Sequence, residues 1–522
     1  MYAFMHHHVL VISRKNTILL CLFVGMETII SHEELSRHGP LSKEKWTAIN
    51  GVVYDVSSFV HPGGDSFIQK LMGKDGTSLY SSAHPKDLVQ KVLSNKIIGK
   101  LTSETPQAQA QEDENRRKLL EGKPPLSTML NTFDFEIIAR KLLSEEAWYY
   151  YSTGADDEIC LRENRAVFSR VRLRPRIMVN VEKIDTSTTI CGCQTSLPLY
   201  LSATALGRLA HPDGEVAITR AAAKSNIIYM LPTLSSCSLD EMLNARSPDQ
   251  IVFSQLYVNC DRTRTRDYVD ELRRRGVRAL FVTVDAPQLG RREKDIRSKF
   301  ATVIADVQKT DEGIVRDEGV SRSISTFIDP SLSWKDASWL LEISKGMPVY
   351  LKGVQCVEDA LLAFHYGFAG IVLSNHGGRQ IDSARSGLEI LAEVMPALRK
   401  LPQYNPETFQ VFIDGGIRRG ADIFKALALG ARAVGIGRPT LYALASYGQH
   451  GVERLLKLFK EELEVTMRLM GTPTIEDINS SHILPHGLIQ GHAGIIRDYL
   501  SERVYEPLLT QAEKDGYVKS KI

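Results

Sequence analysis

The stretch Gly370–Asp382, GIVLSNHGGRQID, sets a histidine and an arginine three residues apart in one glycine-bearing turn. His376 can take a proton near neutral pH. The planar fork of Arg379 matches a carboxylate in bidentate fashion. A base beside a carboxylate clamp suits chemistry on an α-carbon next to a carboxylate. A purely structural histidine in a glycine turn is the alternative that this stretch alone leaves open. The turn follows Ile371-Val372-Leu373, an apolar run that reads as a fully buried parallel strand. Gly377 and Gly378 let the backbone turn sharply and come close to a ligand.

Two later segments read as a phosphate site. Asp414-Gly415-Gly416-Ile417-Arg418-Arg419-Gly420 runs into a helical pattern, and Gly437-Arg438-Pro439 opens another. Backbone N–H groups at helix starts bind phosphate, glycines allow close approach, and Arg418 or Arg438 can pair with the charge. Lys352 ends a strand-like run, and a lysine buried there needs an anionic partner. A reduced flavin, with negative charge near its N1, would supply one, and Schiff-base chemistry is the competing role. Flavin ranks first because His376, Arg379 and the phosphate site accompany the lysine.

These residues need a frame. From Leu197 onward, apolar strand-like runs alternate with amphipathic helical ones such as Ala421–Leu429. The runs are Leu199–Ser202, Ile227–Leu231, Ile251–Gln255, Ala279–Val284, Val349–Lys352, Ile371–Ser374, Val411–Asp414 and Ala433–Ile436. Alternating strand and helix implies a parallel sheet, and this number of units predicts an α/β fold of the (β/α)8 (TIM) barrel type. Polar or small groups sit at most of the strand ends: Ala203-Thr204-Ala205, Gln255 with Tyr257, Thr283 with Asp285, Lys352, Ser374 with His376, Asp414, and Gly437 with Arg438. In such barrels the active site lies at those ends, and the last two βα loops commonly bind phosphate.

With 522 residues the chain is long for one domain, and its 43% hydrophobic and 24% charged content is ordinary for a soluble protein. The net charge of +2 leaves no nucleic-acid footprint. Seven cysteines without a CxxC pair fit a reducing compartment or buried thiols, and Cys191 with Cys193 is too little for a metal site. The apolar run Thr17–Val24 is far short of the ~20 residues of a membrane span and has the length of a signal-peptide core, but no clear A-x-A-like cleavage site follows it. Met26 is an equally good start, which would leave 1–25 ahead of it, and 1–26 reads as a poorly defined extension. Ser520-Lys521-Ile522 is a near miss to the peroxisomal S-K-L address.

Ahead of the barrel, Trp46–Val56 reads as a hairpin around Asn50-Gly51. His61-Pro62-Gly63-Gly64 follows, and His84 lies 23 positions after His61. Two histidines on separate short elements can bind a haem iron from both faces. The pattern WxxINGxVYDVxxF…HPGG resembles the cytochrome b5 haem domain, which implies His61 and His84 as axial ligands. That family has about two more residues between Phe59 and the HPGG, where this chain has only Val60. The expected layout is a haem module over 27–101, a Gln/Glu/Lys/Ser/Pro-rich linker over 102–125, the barrel over 126–475, and a tail over 476–522.

The segments Thr283–Glu293, Ser374–Gln380 and Asp414–Ala431 resemble the FMN-dependent 2-hydroxy-acid oxidase and dehydrogenase family. With the b5-like module in front, the chain is similar to the flavocytochrome b2 type of fungal mitochondria. That resemblance implies FMN and haem b as cofactors and an L-2-hydroxy acid, foremost L-lactate, as substrate. It also implies a cytochrome c-like acceptor, a homotetramer, and the mitochondrial intermembrane space, with peroxisome and cytoplasm as the alternatives.

By the same resemblance His376 is the base and Asp285 its partner. Arg379 and Tyr150 hold the substrate carboxylate, Tyr257 bonds the substrate oxygen, and Arg292 adds positive charge. Lys352, Gln255, Thr283, Ser374 and the backbone at Ala203, Thr204 and Ala205 meet the flavin ring. Asp414, Gly415, Gly416, Arg418, Gly437 and Arg438 hold its tail and phosphate. Pro232 stands where the b2 type has a serine near the flavin, and Leu234 where plant glycolate oxidases carry a large aromatic. Two rivals remain: an oxidase delivering electrons to oxygen, and a haem carrier or sensor with an inactive barrel. The charged stretch Phe300–Thr326 reads as an excursion over the site.

Overall fold

A computed structural model describes residues 28–59, 68–69, 71–84, 88–102, 118, 120–297 and 328–489. His61, the excursion Phe300–Thr326 and the chain ends at 1–27 and 490–522 lie outside the described residues.

The N-terminal unit is a mixed four-stranded sheet of β1 (Ile29–Ile30), β2 (Trp46–Ile49), β3 (Val52–Asp55) and β4 (Ile97–Leu101), in the order β1-β4-β3-β2. Asn50 and Gly51 join β2 to β3 with φ of 53° and 76°, the left-handed pair that a two-residue hairpin turn requires. Ile49, Tyr54, Val56, Ile68, Met72, Tyr80, Val89 and Leu93 form a separate apolar cluster of this unit. His84 ends the helix Thr77–Ala83 and rests on Tyr80 of that cluster, with ring centroids 5.3 Å apart.

Three helices, Thr132–Leu142, Glu145–Ser152 and Ile159–Ala166, lead into the larger unit. β5 (Arg172–Leu173) pairs antiparallel with the late strand β16 (Ile483–Leu484). β6 (Thr188–Ile190) and β7 (Cys193–Thr195) form a hairpin whose turn is Cys191-Gly192. Ile190 and Cys193 close the bottom of the barrel against Tyr200, Phe253 and Phe281. The two cysteines therefore belong to a packed plug.

The barrel itself is a closed ring of eight parallel strands: β8 (Leu199–Leu201), β9 (Ile228–Leu231), β10 (Val252–Leu256), β11 (Leu280–Thr283), β12 (Val349–Val354), β13 (Gly370–Leu373), β14 (Gln410–Asp414) and β15 (Ala433–Ile436). The sequence expectation of this barrel holds.

Alternation along the strands decides where the chemistry goes. Tyr200, Met230, Phe253, Phe281, Tyr350, Val372, Phe412 and Ala433 all point inward and form one buried apolar layer. Side chains two residues further on point the same way. They are Ser202, Pro232, Gln255, Thr283, Lys352, Ser374, Asp414 and Gly435. An aromatic floor thus carries a mostly polar layer directly above it. The floor is tightly fitted, with the Phe281 and Tyr350 rings stacked at 4.7 Å and Phe253 stacked on Phe281 at 5.5 Å.

Replacing Phe281 with alanine should therefore open a cavity in the floor and cost about 3–5 kcal/mol of barrel stability. Urea unfolding followed by far-UV circular dichroism measures it. A loss under about 1 kcal/mol would mean that this ring does not support the layer above it.

Candidate active site

Lys352, in the upper layer, is fully enclosed. Its Nζ lies 2.9 Å from Asp414 Oδ2, and the two side chains are only 7% and 10% exposed. Ser374 completes a triangle. Its Oγ receives Lys352 Nζ at 3.3 Å and donates to Asp414 Oδ1. Burial works against the ammonium, yet Asp414 and then Asp285 hold the Lys352 pKa above its ordinary value.

The same Ser374 Oγ accepts the backbone N–H of His376 at 3.0 Å. That bond matters because His376 has φ of 58°, a left-handed conformation that costs a non-glycine residue about 1–3 kcal/mol. Gly377 and Gly378 continue the left-handed run at 65° and 77°, and a β-carbon on Gly378 would strike the backbone of Leu161. The turn is pinned from outside by reciprocal amide bonds between Asn164 and Asn375, at 2.8 and 2.9 Å.

His376 Nδ1 faces Asp285 Oδ1 at 2.8 Å, and the Asp285 side chain is 1% exposed. Burial opposes ionisation of Asp285, but His376, its hydrogen bond and Lys352 outweigh burial and hold the carboxyl below the usual carboxylate range. The pairing commits Nδ1 as the donor and turns Nε2 toward the cleft, where the Tyr257 hydroxyl lies 3.5 Å away. Burial, and then Asp285, push the Tyr257 phenol up, so it stays protonated as a donor. Gln380 holds the segment carrying Asp285 in place by donating to the carbonyls of Asp285 and Gln288.

Two guanidiniums share this end of the cleft. Arg379 Nη1 donates to the Tyr150 carbonyl at 2.6 Å, and its Cζ stands 5.1 Å over the Tyr150 ring. Arg292 is 3% exposed, and its Nε donates to the Arg379 carbonyl at 3.4 Å. Burial, with Arg379 beside it, lowers the Arg292 pKa to about 9. Two crowded cations with protonated phenols at Tyr150 and Tyr257 make a receptor for a small carboxylate bearing an adjacent oxygen.

At the opposite end Gly415 and Gly416 have φ of 89° and 82°, and a β-carbon on Gly416 would run into the Asn164 carbonyl. Arg418 lines this end, ion-paired with Glu136 at 2.9 Å. Arg438, expected at the phosphate, lines this end of the cleft beside the glycine cradle. Its guanidinium donates to three carbonyls, Tyr151, Gly377 and Thr153, at 2.8–2.9 Å.

One cleft, with about 1310 Å3 of space counted out to its open mouth, joins the two ends. It is lined by Tyr150, Ala203, Thr204, Ala205, Gln255, Tyr257, Thr283, Arg292, Lys352, His376, Arg379, Asp414, Gly415, Gly416, Arg418, Gly437 and Arg438. Asp285 and Ser374 act from behind, through His376 and Lys352. Ser374 was expected to meet the flavin ring, but it is fully buried beneath that lining. Gln255 spans two strands, taking Thr233 N–H at 3.1 Å and donating to Thr283 Oγ1 at 2.9 Å. The Thr204 and Ser202 hydroxyls are buried on the cleft wall without a protein hydrogen-bond partner. An elongated cleft with a cation at mid-length, unsatisfied hydroxyls along its wall and a glycine cradle at one end fits FMN.

Sequence reasoning missed Asn164, Asn375, Gln380 and Glu136, which support the site without carrying chemistry. It also missed Glu215, fully buried, whose carboxylate accepts the N–H groups of Gly207, Ser236 and Cys237 and so ties together the loops after β8 and β9. No motif marks such residues, because their partners are backbone groups distant in sequence. For the haem, the described His84 beside its apolar cluster fits one axial ligand.

The Asp285–His376 pair has a pH signature. Asp285→Asn should lower stability by about 1–3 kcal/mol near neutral pH. Because the folded-state pKa of Asp285 is depressed, wild type should keep this advantage above about pH 4 and lose it as the pH falls through that depressed value. A gap that widens as the pH falls would contradict the pairing.

Residues 139–485 match the family model of the FMN-dependent dehydrogenases, and residues 31–102 match that of the cytochrome b5-like haem/steroid binding domain. L-lactate dehydrogenase (cytochrome) of Wickerhamomyces anomalus is 45% identical over 483 residues, 91% of this chain and 83% of that protein. The protein of the same name from Saccharomyces cerevisiae is 41% identical over 505 residues, 93% of this chain and 84% of it. Among solved structures, a double mutant of flavocytochrome b2 with pyruvate bound matches with a TM-score of 0.68 at 42% identity, covering 77% of this chain and 98% of that one. With a dehydrogenase match running the length of the barrel and a b5-like match before it, the chain belongs to the FMN-dependent dehydrogenase family and carries an N-terminal cytochrome b5-like domain.

Proposed function

We propose that this protein oxidises L-lactate to pyruvate and delivers the electrons through its b5-like module to a cytochrome c-like acceptor. The observation that carries the reading is the His376–Asp285 pair, at 2.8 Å, facing two guanidiniums across one cleft. The relatives named L-lactate dehydrogenase (cytochrome), which span both units, support the choice of substrate and acceptor. Bound FMN would supply the two-electron acceptor and haem b a one-electron relay.

The chain's own residues do the rest. Arg379, Arg292 and Tyr150 receive the carboxylate and fix the α-carbon within reach of His376. The Tyr257 phenol donates to the substrate oxygen. His376 Nε2 takes a proton from the substrate: the α-proton, or the hydroxyl proton if hydride leaves the carbon directly. Asp285, held ionised, then stabilises the imidazolium. Lys352, kept charged by Asp414, stands where negative charge would gather on the ring. Arg418 and the Gly415-Gly416 backbone hold the phosphate, and Asp414, Gln255, Thr283, Gly437 and the Ala203–Ala205 segment line the remaining length. His61 and His84 are the proposed haem ligands. The helix before His84, Thr77–Ala83, packs on the turn Gly207–Leu209, which follows the flavin-side residues Ala203–Ala205. That contact gives electrons a short route between units.

We also propose a homotetramer. Ile177 and Met178 are 86% and 99% exposed, and Val465 and Leu469 are 53% and 71% exposed. The first pair adjoins the second, because Arg176 N donates to the Met470 carbonyl. Such an apolar strip supports burial against a second copy. No described helix is long and apolar enough to cross a membrane.

Anaerobic stopped-flow mixing with L-lactate should bleach the flavin first and then raise the haem α-band. Flavin bleaching with haem left oxidised would replace the dehydrogenase reading with an oxidase. His376→Gln should lower kcat by at least about 100-fold while leaving bound FMN in place. Retained turnover in that variant would remove His376 from its role as base.

A further inference from the structure

Glu215, at the start of the helix Gly214–Lys224, is a fully buried carboxylate that lies outside the cleft lining. Its Oε1 accepts the N–H of Gly207 at 2.7 Å and that of Ser236 at 3.0 Å. Its Oε2 accepts the N–H of Cys237 at 3.1 Å. Charge-assisted bonds of this kind are what a carboxylate needs once it leaves water. Burial, and then Glu215, push the Tyr151 and Tyr229 phenols well up, so both keep their protons beside it.

The three bonds fall on two loops that form one wall of the cleft. Ala203, Thr204 and Ala205 line it from the loop after β8, and Pro232 and Leu234 from the loop after β9. Gly207 lies two residues beyond Ala205, and Ser236 two residues beyond Leu234. Between them the Leu206 N–H donates to the Leu234 carbonyl at 3.1 Å, so the loops form a short ladder that Glu215 closes at its outer end. This ladder continues into the segments that carry the phenols of the site. The Tyr151 hydroxyl donates to the Leu206 carbonyl, and Thr233 Oγ1 takes the backbone N–H of Tyr257 at 3.3 Å. The apolar groups Ala205 and Leu234 are thereby held at a fixed spacing, tied to Tyr257 and to the neighbour of Tyr150.

We propose that Glu215 is a positioning residue for substrate choice: by fixing the spacing of Ala205 and Leu234 it sets the length of 2-hydroxy-acid side chain that the cleft accepts. The proposal rests on the reading of this cleft as a 2-hydroxy-acid site. A carboxylate suits the task because both of its oxygens accept. An amide would keep one acceptor oxygen and turn its NH2 group toward a backbone N–H. One methylene in an apolar pocket is worth roughly 10- to 200-fold in discrimination, so a loosened wall is read in selectivity before it is read in turnover.

The test is anaerobic stopped-flow reduction of the flavin in the full-length holoprotein, with L-lactate and with L-2-hydroxyhexanoate at varied concentration. Following the flavin band alone keeps the result independent of the haem module, whose helix Thr77–Ala83 packs on Gly207–Leu209. Glu215→Gln should retain FMN and lower the preference for lactate over hydroxyhexanoate, in flavin-reduction efficiency, by about 10-fold. Gly207→Ala would set a β-carbon 2.9 Å from the Glu215 carboxyl carbon and should shift the preference the same way. That variant decides the matter by itself if Glu215→Gln does not fold. Ile343→Ala, in a buried position of a helix that does not line the cleft, should lower stability and leave the preference within about twofold. An unchanged preference in the first two variants, or an equal loss for both acids, overturns the proposal. So does a shift of the same size in Ile343→Ala, which would report general loosening of the barrel. A wild-type flavin that neither acid reduces would overturn the 2-hydroxy-acid reading itself, and the proposal with it.

Discussion

A lysine ammonium taken out of water must meet a negative charge, and the upper barrel is built around one that does. Lys352, Asp414 and Ser374 come from β12, β14 and the residue following β13, and each occupies an inward position one step above the aromatic floor. An unpaired buried cation would cost several kcal/mol, so the ammonium and the Asp414 carboxylate fix each other's placement. The floor makes this possible. Eight largely apolar residues form a packed layer across the barrel, and the polar groups that carry the site lie above it. The location of the chemistry therefore follows from strand periodicity and side-chain volume before any substrate is considered.

The charge pair also governs the base. Ser374 donates to Asp414 and accepts from His376 N–H, so the oxygen that orients the ion pair also holds the strained turn. Asp285 feels both His376 and Lys352. A β-carbon on Gly353, at φ of 111°, would collide with Asp285, which explains why glycine follows the lysine. Cofactor-facing charge and substrate-facing base thus form one connected hydrogen-bonded unit. Movement of either would disturb the other.

Much of this was legible in the sequence. The eight strand runs, the Asn-Gly hairpin and the cleft-lining residues were readable because each rests on a local rule: period-two burial, left-handed turn residues, or a polar group at a strand end. Ser374 shares the inward register of Lys352 and Gln255, and only the folded packing places its hydroxyl beneath the cleft lining, between Lys352 and Asp414. Arg438 has a second set of contacts that its motif does not announce: besides lining the cleft, its side chain reaches carbonyls supplied by segments nearly 300 and about 60 positions earlier. Asn164, Glu215 and Gln380 were invisible because each satisfies backbone groups that only tertiary folding brings near.

Arg438 also links the two ends of the cleft. Its backbone opens the long helix Arg438–Met470 at the cradle end. Its side chain joins Tyr151 and Thr153, at the C-terminal end of the Tyr150 helix, to Gly377 beside the base. Burial lowers its pKa only to about 10, so the guanidinium stays charged and its bonds to neutral carbonyls stay strong. A carboxylate in its place would repel those carbonyls, and a lysine could not span three of them in a plane. The residue expected at the phosphate is also a fastener between the cradle and the catalytic turn.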